Sequence, residues 1–499
     1  MLNKPVMRWV VVWLSLLLLL GSTAPGVQDT STALAGVSAV IDNYLPLTWR
    51  SFPWRSPFGI EIASSLTAES PLLDWAIRLP TKWVRLNRRI SWRQLQPNEG
   101  DPIQWDLLAG FENELRAFQG ANITPIVIVN DYPAWATTEH SPGVPSYCGP
   151  LRGDKFVAFA NFVSQLANRY KVHEFNVHIW ELGNEPDVDP FLVAPDSEFG
   201  CWGDATDLEY YGGKHYGEML KIVSPAIKTE DPAAQVWVGG LLLNSPNTTT
   251  PGHGRPEFFL RGILEAGVGT DFSYFDMVPY HAYTTYDGIE SDYDNADSRS
   301  PWEADPIWGG IIQGKTRFLR QIMNEYGVQK PLFVDEISLT CVPEFNPDVC
   351  NPPVEAFYQM QASHLVRAQV RGLGEGIMGF TWYTLDGPGW RNGGLLDGNG
   401  DPRPSYTAHQ VLTQQLINAD YLAPVDYGAG FEAYAFQRGT QQVHVVWSKE
   451  DSLDLKILVL ASNFLEARTR DGTLIAPLPL NENIQISVGF SPVYVILRP

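Results

Sequence analysis

Two glutamates, Glu185 and Glu336, each follow a run of apolar residues typical of a buried strand. Glu185 belongs to the segment Trp-Glu-Leu-Gly-Asn-Glu-Pro-Asp at 180–187, and Glu336 belongs to Phe-Val-Asp-Glu-Ile at 333–337. A carboxylate at such a position is costly to bury unless it is paired or functional. Cleavage of a glycosidic bond needs one protonated carboxyl group beside the leaving oxygen and one ionised carboxylate at the anomeric carbon. The two glutamates therefore indicate this chemistry, provided that the fold brings them together.

The elements that would position them alternate between short apolar runs and helix-like stretches. This alternation favours parallel strands joined by helices, and eight units over about 350 residues predict a (β/α)8 TIM barrel. A doubly wound open sheet is the competing architecture, but no Gly-rich phosphate turn follows the first run. The eight predicted strands lie at 58–63, 83–86, 124–129, 176–182, 235–239, 275–280, 331–335 and 376–382.

In such a barrel the fourth and seventh strands end on the same face, at roughly opposite sides of the mouth. Glu185 and Glu336 can therefore converge on one sugar ring, with about 5–5.5 Å between the carboxyl groups in a retaining enzyme. The neighbouring acids Glu181 and Asp335 are expected to be turned away from the cleft by the alternation of side chains along a strand.

The ends of the chain have a different character. Residues 416–499 hold short β-rich runs without helices and predict a small C-terminal antiparallel β-sandwich after a catalytic barrel at 58–415. Residues 36–57 form a lead-in that could add a strand to this sandwich. Residues 1–35 resemble a signal peptide, with two basic residues before an apolar run and an Ala-Leu-Ala cleavage pattern. An uncleaved membrane anchor is the alternative.

Taken in order, these features resemble the clan A glycoside hydrolases, and family 39 most closely, with families 5 and 30 as near alternatives. In this clan the acid/base is the Glu of an Asn-Glu-Pro motif after strand 4, and the nucleophile is a Glu after strand 7. The resemblance implies a retaining hydrolase of β-glycosidic bonds in polysaccharides or oligosaccharides, with Glu185 as acid/base and Glu336 as nucleophile. The negative charge of Glu336 is expected to raise the pKa of Glu185.

The resemblance also implies a set of residues that bind or orient the sugar. Two departures weaken the link to family 39, because Gly183 stands where that family has Trp and Gln96 stands where the clan has Glu. The xylosidase activity of the family is therefore not transferred. The residues expected at the site are Arg85, Trp135, Asn184, His281, Tyr283 and Trp382.

Charge and cysteine content indicate where the protein works. A formal net charge of −21 disfavours nucleic acid as a partner and is compatible with a neutral carbohydrate. Four cysteines and the leader favour a secreted or extracytoplasmic protein without a membrane span in the mature chain. Three disulfide connectivities are possible. Pairing Cys341 with Cys350 would close a short loop, and pairing Cys148 with Cys201 would tie two longer loops.

No cofactor or metal is expected. The cysteines lack the spacing of a zinc site. The acidic segment at 287–305, which includes Asp292, Asp294 and Asp297, could bind calcium but is more typical of a solvated loop. The Asp-Gly-Asn-Gly-Asp run at 397–401 is better explained as the last βα turn.

Two other functions are compatible with the same residues. A transglycosylase that remodels an exopolysaccharide would use the same carboxylates and differ only in its acceptor. A non-catalytic glycan-binding protein would keep the barrel and its aromatic residues, although the presence of both glutamates argues against it.

Overall fold

The structure is a computed structural model that describes residues 56–64, 71–141, 143–189, 199–250, 253–286, 310–449 and 455–498, with Val193, Ser197 and Trp302. The expected signal peptide and almost all of the lead-in lie outside these residues. The acidic residues Asp292, Asp294 and Asp297 lie outside them as well.

Eight parallel strands form a barrel in the order β5-β4-β3-β2-β1-β8-β7-β6. The backbone of β5 also bonds to that of the segment around β6, through Val238 N to Met277 O and His281 N to Leu241 O, and these bonds close the barrel. The expected TIM barrel is confirmed. Its strands are β1 Phe58–Ile62, β2 Trp83–Ser91, β3 Thr124–Asn130, β4 Ile179–Asn184, β5 Gln235–Gly240, β6 Val278–Thr285, β7 Leu332–Thr340 and β8 Phe380–Trp382.

A helix follows each strand and covers the outside of the barrel. The apolar residues of these helices recur every three or four positions and so share one face, as Phe159, Phe162, Val163 and Leu166 do in α3. No helix among the described residues is both long and apolar enough to cross a bilayer. The helices are α1 Pro71–Arg78, α2 Ala109–Gly120, α3 Phe156–Tyr170, α4 Gly213–Glu230, α5 Phe259–Ala266, α6 Ile311–Glu325, α7 Glu355–Gly374 and α8 Pro404–Leu416, with shorter turns at Trp92–Leu95, Trp105–Leu108, Gly153–Lys155, Pro256–Phe258, Pro347–Cys350 and Trp390–Asn392.

Inside the barrel an apolar layer lies near the N-terminal ends of the strands. It is a separate buried cluster, most of whose members come from the barrel strands. This layer fills the lower interior of the barrel, as layers of side chains do in this fold. The layer consists of Trp83, Ile126, Ile179, Trp237, Met277, Phe333 and Met378.

Two antiparallel sheets follow α8, as expected for a β-sandwich. Five strands form one sheet in the order β9-β10-β11-β16-β13, and three form the other in the order β12-β15-β14. A two-stranded ribbon, Glu139–Ser141 with Val144–Pro145, lies in the loop after β3. The C-terminal strands are β9 Asp420–Pro424, β10 Phe431–Arg438, β11 Gln441–Ser448, β12 Leu455–Leu460, β13 Phe464–Thr469, β14 Leu478–Leu480, β15 Asn483–Val488 and β16 Val493–Leu497.

Helix α7 joins these sheets to the barrel. The guanidinium of Arg371 donates to both carboxylate oxygens of Glu432 at 2.8 and 2.9 Å, and buried Arg367 donates to the carbonyl of Phe490 at 2.7 Å. Tyr434 and Trp447 of the larger sheet belong to the same buried cluster as the barrel core. The boundary between the barrel and the β-sandwich at residue 416 remains a prediction. Buried residues on both sides of it belong to one core.

Close approach of α4 and α5 gives a testable result. A Cβ on Gly213, the first residue of α4, would lie 1.9 Å from the carbonyl oxygen of Phe259. We expect Gly213→Ala to lower the free energy of unfolding by about 1–3 kcal/mol through overpacking. Gly110 lies in the first turn of another helix, α2, with open space around it. Gly110→Ala is therefore expected to leave the free energy of unfolding unchanged or to raise it by up to ~1 kcal/mol. Chemical denaturation of both variants measures this, and equal effects would contradict it.

Candidate active site

The guanidinium of Arg85, on β2, lies at the centre of the barrel mouth and is fully buried. It donates to both oxygens of Glu181 at 2.7 and 2.9 Å and to Glu61 at 3.0 Å. It also donates to one oxygen of Glu336 at 2.5 Å, and Asp335 lies 3.6 Å away. One cation is therefore shared among four carboxylates from β1, β4 and β7.

Glu336 receives hydrogen bonds on both carboxylate oxygens. Arg85 donates to Oε1, and the hydroxyl of Tyr283 donates to Oε2. The side chain is 7% exposed, so these two donors replace nearly all of its water. Two donors, one of them charged, fix the orientation of this carboxylate. The expected contacts of Glu336 with Tyr283 and Arg85 are both present.

Glu185 follows β4, and its backbone conformation directs its side chain toward His281 and Glu336. Its φ is +47°, a left-handed conformation that is uncommon for a residue other than glycine. The turn is held by its backbone N–H, which donates to the carbonyl of Gly240 on β5 at 2.9 Å. Its side chain is 13% exposed, and Oε1 lies 2.8 Å from Nδ1 of His281.

His281 connects the two glutamates. Its Nδ1 lies 2.8 Å from Glu185 and 3.4 Å from Glu336. Burial lowers the pKa of this imidazole to about 4, so at neutral pH it is uncharged and its contact with Glu185 is a hydrogen bond rather than an ion pair. One ligand atom from each of the three side chains lies within 4.8 Å of the others, so carboxylate oxygens of Glu185 and Glu336 approach to this distance.

The same three side chains, two carboxylates and a neutral imidazole, have the composition of a divalent-metal ligand set. The contacts within the cluster are accounted for by hydrogen bonds, and Arg85 supplies the positive charge beside Glu336. These hydrogen bonds and the nearby positive charge suit an acid–base site.

Burial controls the protonation of the acids. It raises the pKa of Glu185 to about 7, although the charges of Arg85 and Lys315 act in the opposite direction. Our expectation that the charge of Glu336 causes this shift is wrong, because desolvation is the main cause. Burial, followed by the charge of Glu336, also raises the pKa of Glu61 well above its ordinary value. Asp335 is raised in the same way, by burial and then by Glu181. A raised pKa favours the protonated form of each acid, and protonation reduces the negative charge around Arg85.

The expectation that Glu181 and Asp335 turn away from the cleft is wrong. Glu181 lies two residues after Ile179 of the interior apolar layer, so alternation along β4 turns it inward, where it holds Arg85. Asp335 lies two residues after Phe333 of the interior apolar layer, so alternation along β7 turns it inward. A β-bulge then brings Glu336 to the same side, because Tyr280 of β6 pairs with Val334 whereas His281 pairs with Glu336. Successive carboxylates of β7 therefore both face the interior.

Gly240 at the end of β5 makes room for this arrangement. A Cβ there would lie 2.3 Å from a carboxylate oxygen of Asp335 and 2.4 Å from Nε2 of His281. Lys315 of α6 supports the opposite side, because its buried ammonium donates to the carbonyls of Leu242 and His281 at 2.6 and 2.8 Å.

The remaining predicted site residues divide into two groups. Asn184 lies at the site, where its side-chain oxygen accepts from Arg85 at 2.5 Å. Trp382 is fully buried and its indole N–H donates to the carbonyl of Gly393 at 2.9 Å. It offers no surface to a sugar, so its expected role as an aromatic floor is not supported. Trp135 packs edge-on against Trp92, with 4.9 Å between ring centroids, and its indole N–H donates to the carbonyl of Gln96. Neither contact involves Arg85 or the four carboxylates around it.

Four residues at or near the site were missed. Glu61 interrupts the apolar strand Phe-Gly-Ile-Glu-Ile, the same signal that marks Glu336, and could have been found. Asp187 accepts from the backbone N–H groups of Leu242 and Leu243, each at 2.8 Å, and joins the loops after β4 and β5. The rings of Tyr383 and Trp390 both contact the ring of Tyr283. No sequence motif marks either residue.

Both disulfides lie in loops at the mouth of the barrel. Cys148 pairs with Cys201, with 5.4 Å between Cα atoms, and Cys341 pairs with Cys350, with 5.3 Å. Of the three possible connectivities, the structure has the one that joins the loops after β3 and β4 and closes the short loop after β7. The run at 397–401 forms a turn in which Asp397 accepts from two backbone N–H groups, as expected for the last βα loop.

Solved structures share this fold. A family 39 glycoside hydrolase from Bacteroides cellulosilyticus WH2 superposes with a TM-score of 0.65 at 18% identity, covering 89% of this chain and 81% of that one. A conserved exported protein from Bacteroides fragilis gives 0.62 at 11%, with 89% and 98% covered. A family 30, subfamily 8 xylanase from Clostridium acetobutylicum gives 0.54 at 12%, with 89% and 96% covered.

These matches confirm the resemblance to families 39 and 30 of clan A at the level of fold. No family model and no curated protein matches the chain by sequence.

Removal of the central cation tests the charge arrangement. We expect Arg85→Met to lower the free energy of unfolding by about 3–5 kcal/mol, because it leaves buried carboxylates without their partner. The matched control is Arg116→Met, since Arg116 is 42% exposed and pairs with exposed Glu174; its loss is expected to stay below about 1 kcal/mol. Urea denaturation measures both, and a similar loss in the two variants would refute a dependence on Arg85.

Proposed function

We propose that this protein is a retaining glycoside hydrolase that cleaves β-glycosidic bonds by double displacement, with Glu185 as acid/base and Glu336 as nucleophile. The observation that carries the proposal is the approach of the two carboxylates to within 4.8 Å at the mouth of the barrel. Retaining enzymes place their carboxyl groups about 5–5.5 Å apart, whereas inverting enzymes leave about 6.5–9.5 Å for a water molecule. The separation supports the retaining reaction.

In the first step an ionised Glu336 attacks the anomeric carbon while Glu185 donates its proton to the leaving oxygen. The bond between the anomeric carbon and that oxygen breaks, and an ester bond forms between the sugar and Glu336. Glu185 is suited to this step because its raised pKa keeps a proton available near neutral pH. Arg85 and Tyr283 hold both oxygens of Glu336, which orients the carboxylate for attack.

In the second step a water molecule attacks the anomeric carbon and Glu185 removes its proton. The ester bond to Glu336 breaks and the carboxylate returns to Arg85 and Tyr283. Glu185 can act as the base in this step because it gave up its proton to the leaving oxygen in the first step. Asn184, held by Arg85 next to Glu185, is placed to bind a sugar hydroxyl.

The folds that resemble this one support the reaction class. Two of the three similar structures are described as a family 39 glycoside hydrolase and a xylanase. We propose a β-linked polysaccharide or its oligosaccharides as the substrate class. Two disulfides in the mouth loops and the likeness to an exported protein support an extracytoplasmic location.

Substitution of each glutamate tests the two roles. We expect Glu336→Gln to reduce kcat on an aryl β-glycoside by more than a thousandfold, because the glycosyl-enzyme no longer forms. Glu185→Ala is expected to slow glycosides with poor leaving groups far more than activated ones, since only the former need a proton. Added azide is expected to restore part of its turnover by attacking the glycosyl-enzyme without base assistance.

The control for these variants is Glu344→Gln, an exposed glutamate shortly after the same strand as Glu336, which is expected to leave turnover unchanged. Wild-type turnover by Glu336→Gln would disprove the nucleophile assignment. An equal loss by Glu185→Ala on all leaving groups would disprove the acid/base assignment.

The pH dependence follows from the raised pKa of Glu185. Its protonated form is the active acid, so kcat/KM is expected to fall as the pH rises through about 7. With an activated aryl glycoside, Glu185→Ala should lose this alkaline limb while keeping the acidic one, which depends on another group. Profiles of kcat/KM for the two enzymes measure this, and an unchanged alkaline limb in the variant would assign it to another residue.

A further inference from the structure

A large aromatic side chain, Trp390, lies exposed beside the site and has no role in the proposed reaction. Its surface is 46% exposed. Its ring meets the ring of Tyr283 edge-on, with 5.2 Å between centroids, and Tyr283 donates to Glu336. Trp390 therefore contacts the side chain that donates a hydrogen bond to the proposed nucleophile.

The loop that carries Trp390, residues 388–394, is built with unusual backbone geometry. Arg391 and Asn392 both have left-handed φ values, +50° and +64°. Two consecutive non-glycine residues in this region are costly and persist only where the surroundings hold them. A Cβ on Gly393 would lie 2.6 Å from the hydroxyl of Ser338, and one on Gly394 would lie 2.7 Å from the carbonyl of Asp386.

Buried donors hold the carbonyl groups of this loop. The guanidinium of Arg403, 7% exposed, donates to the carbonyls of Pro388, Asn392 and Gly394 at 3.2, 3.0 and 3.0 Å. Buried Gln361 donates to the carbonyl of Asn392 at 3.0 Å, and buried Trp382 donates to that of Gly393 at 2.9 Å. The backbone N–H of Cys341, in the second disulfide, donates to the carbonyl of Arg391 at 2.9 Å.

This bonding fixes a loop whose largest side chain is left outside the core. A rigid, exposed aromatic ring needs little further ordering when a ligand binds to it, which favours affinity. The apolar C–H face of a pyranose ring is a suitable partner for such a surface. The guanidinium of Arg391 lies over one face of the Trp390 ring, 4.3 Å from its centroid, so a sugar would stack on the opposite face.

We propose that Trp390 is the stacking platform for a second sugar ring, so that the enzyme prefers substrates longer than one sugar unit. This rests on the proposed function, since it places a binding subsite next to that reaction centre. The reacting sugar would contact Glu185, Glu336 and Tyr283, and its neighbour in the chain would lie on Trp390.

Kinetics on short and long substrates test the platform. The substrates are the best 4-nitrophenyl β-glycoside of a single sugar and the β-1,4-linked tetrasaccharide of the same sugar. We expect Trp390→Ala to lower kcat/KM for the tetrasaccharide about tenfold and to leave the single-sugar glycoside unchanged. Trp390→Phe should stay within about threefold of wild type, because it keeps a flat ring. Leu458→Ala, at a similarly exposed residue on β12, should change neither substrate.

A binding measurement separates the platform from the reaction. In the Glu336→Gln background, calorimetry with xylotetraose, cellotetraose and mannotetraose is expected to show about tenfold weaker binding of the best ligand when Trp390 is also replaced by Ala. If wild type cleaves nothing but this loss occurs, the proposed function fails and the platform stands.

Other outcomes would overturn the platform. An equal kinetic loss on both substrates would place Trp390 at the reacting sugar or in a structural role. No loss on either substrate, or no tetrasaccharide binding to the Glu336→Gln enzyme, would exclude it as a sugar surface.

Discussion

The candidate site depends on one constraint, a single buried guanidinium among four carboxylates. Arg85 contacts Glu61, Glu181, Asp335 and Glu336 in a space closed below by an apolar layer. Four ionised acids around one cation would be strongly unfavourable at low dielectric. The site accommodates them because burial raises the pKa of Glu61 and Asp335, which favours their protonated forms, while Arg85 makes its shortest contacts with Glu336 and Glu181.

The two glutamates of the proposed reaction have different surroundings. Glu185 has a neutral histidine as its hydrogen-bond partner, and desolvation raises its pKa to about 7. Glu336, only a few ångströms away, has a guanidinium and a phenol. Two carboxyl groups with different neighbours can therefore serve as proton donor and nucleophile at one pH. The neutral state of His281 contributes to this difference, because a positive charge on the imidazole would favour the ionised form of Glu185.

The loops around the mouth are held from outside the barrel. Two disulfides, Asp187 and Arg403 each fix loop segments that follow the strands. Trp382 contributes to this support through its bond to the loop that carries Trp390. A residue expected to touch the sugar thus acts by positioning the loop in which an exposed aromatic ring lies. Helix α7, which also supplies Gln361 to this loop, connects it to the C-terminal sheets through Arg367 and Arg371.

The sequence by itself determined the barrel, the order of its strands and the positions of Glu185, Glu336, Arg85, His281 and Tyr283. It could do so because strand periodicity and short motifs at strand ends are local properties. Only the tertiary structure decided the disulfide partners, the bulge that lets Asp335 and Glu336 face the same side, the cause of the raised pKa of Glu185, and the placement of Trp382 and Trp390. Each depends on contacts between distant segments: the bulge against β6, the depth of the closed barrel and the carbonyl-binding residues of α7 and α8. Such contacts have no local pattern in the chain, because they arise only when the strands close around a common interior.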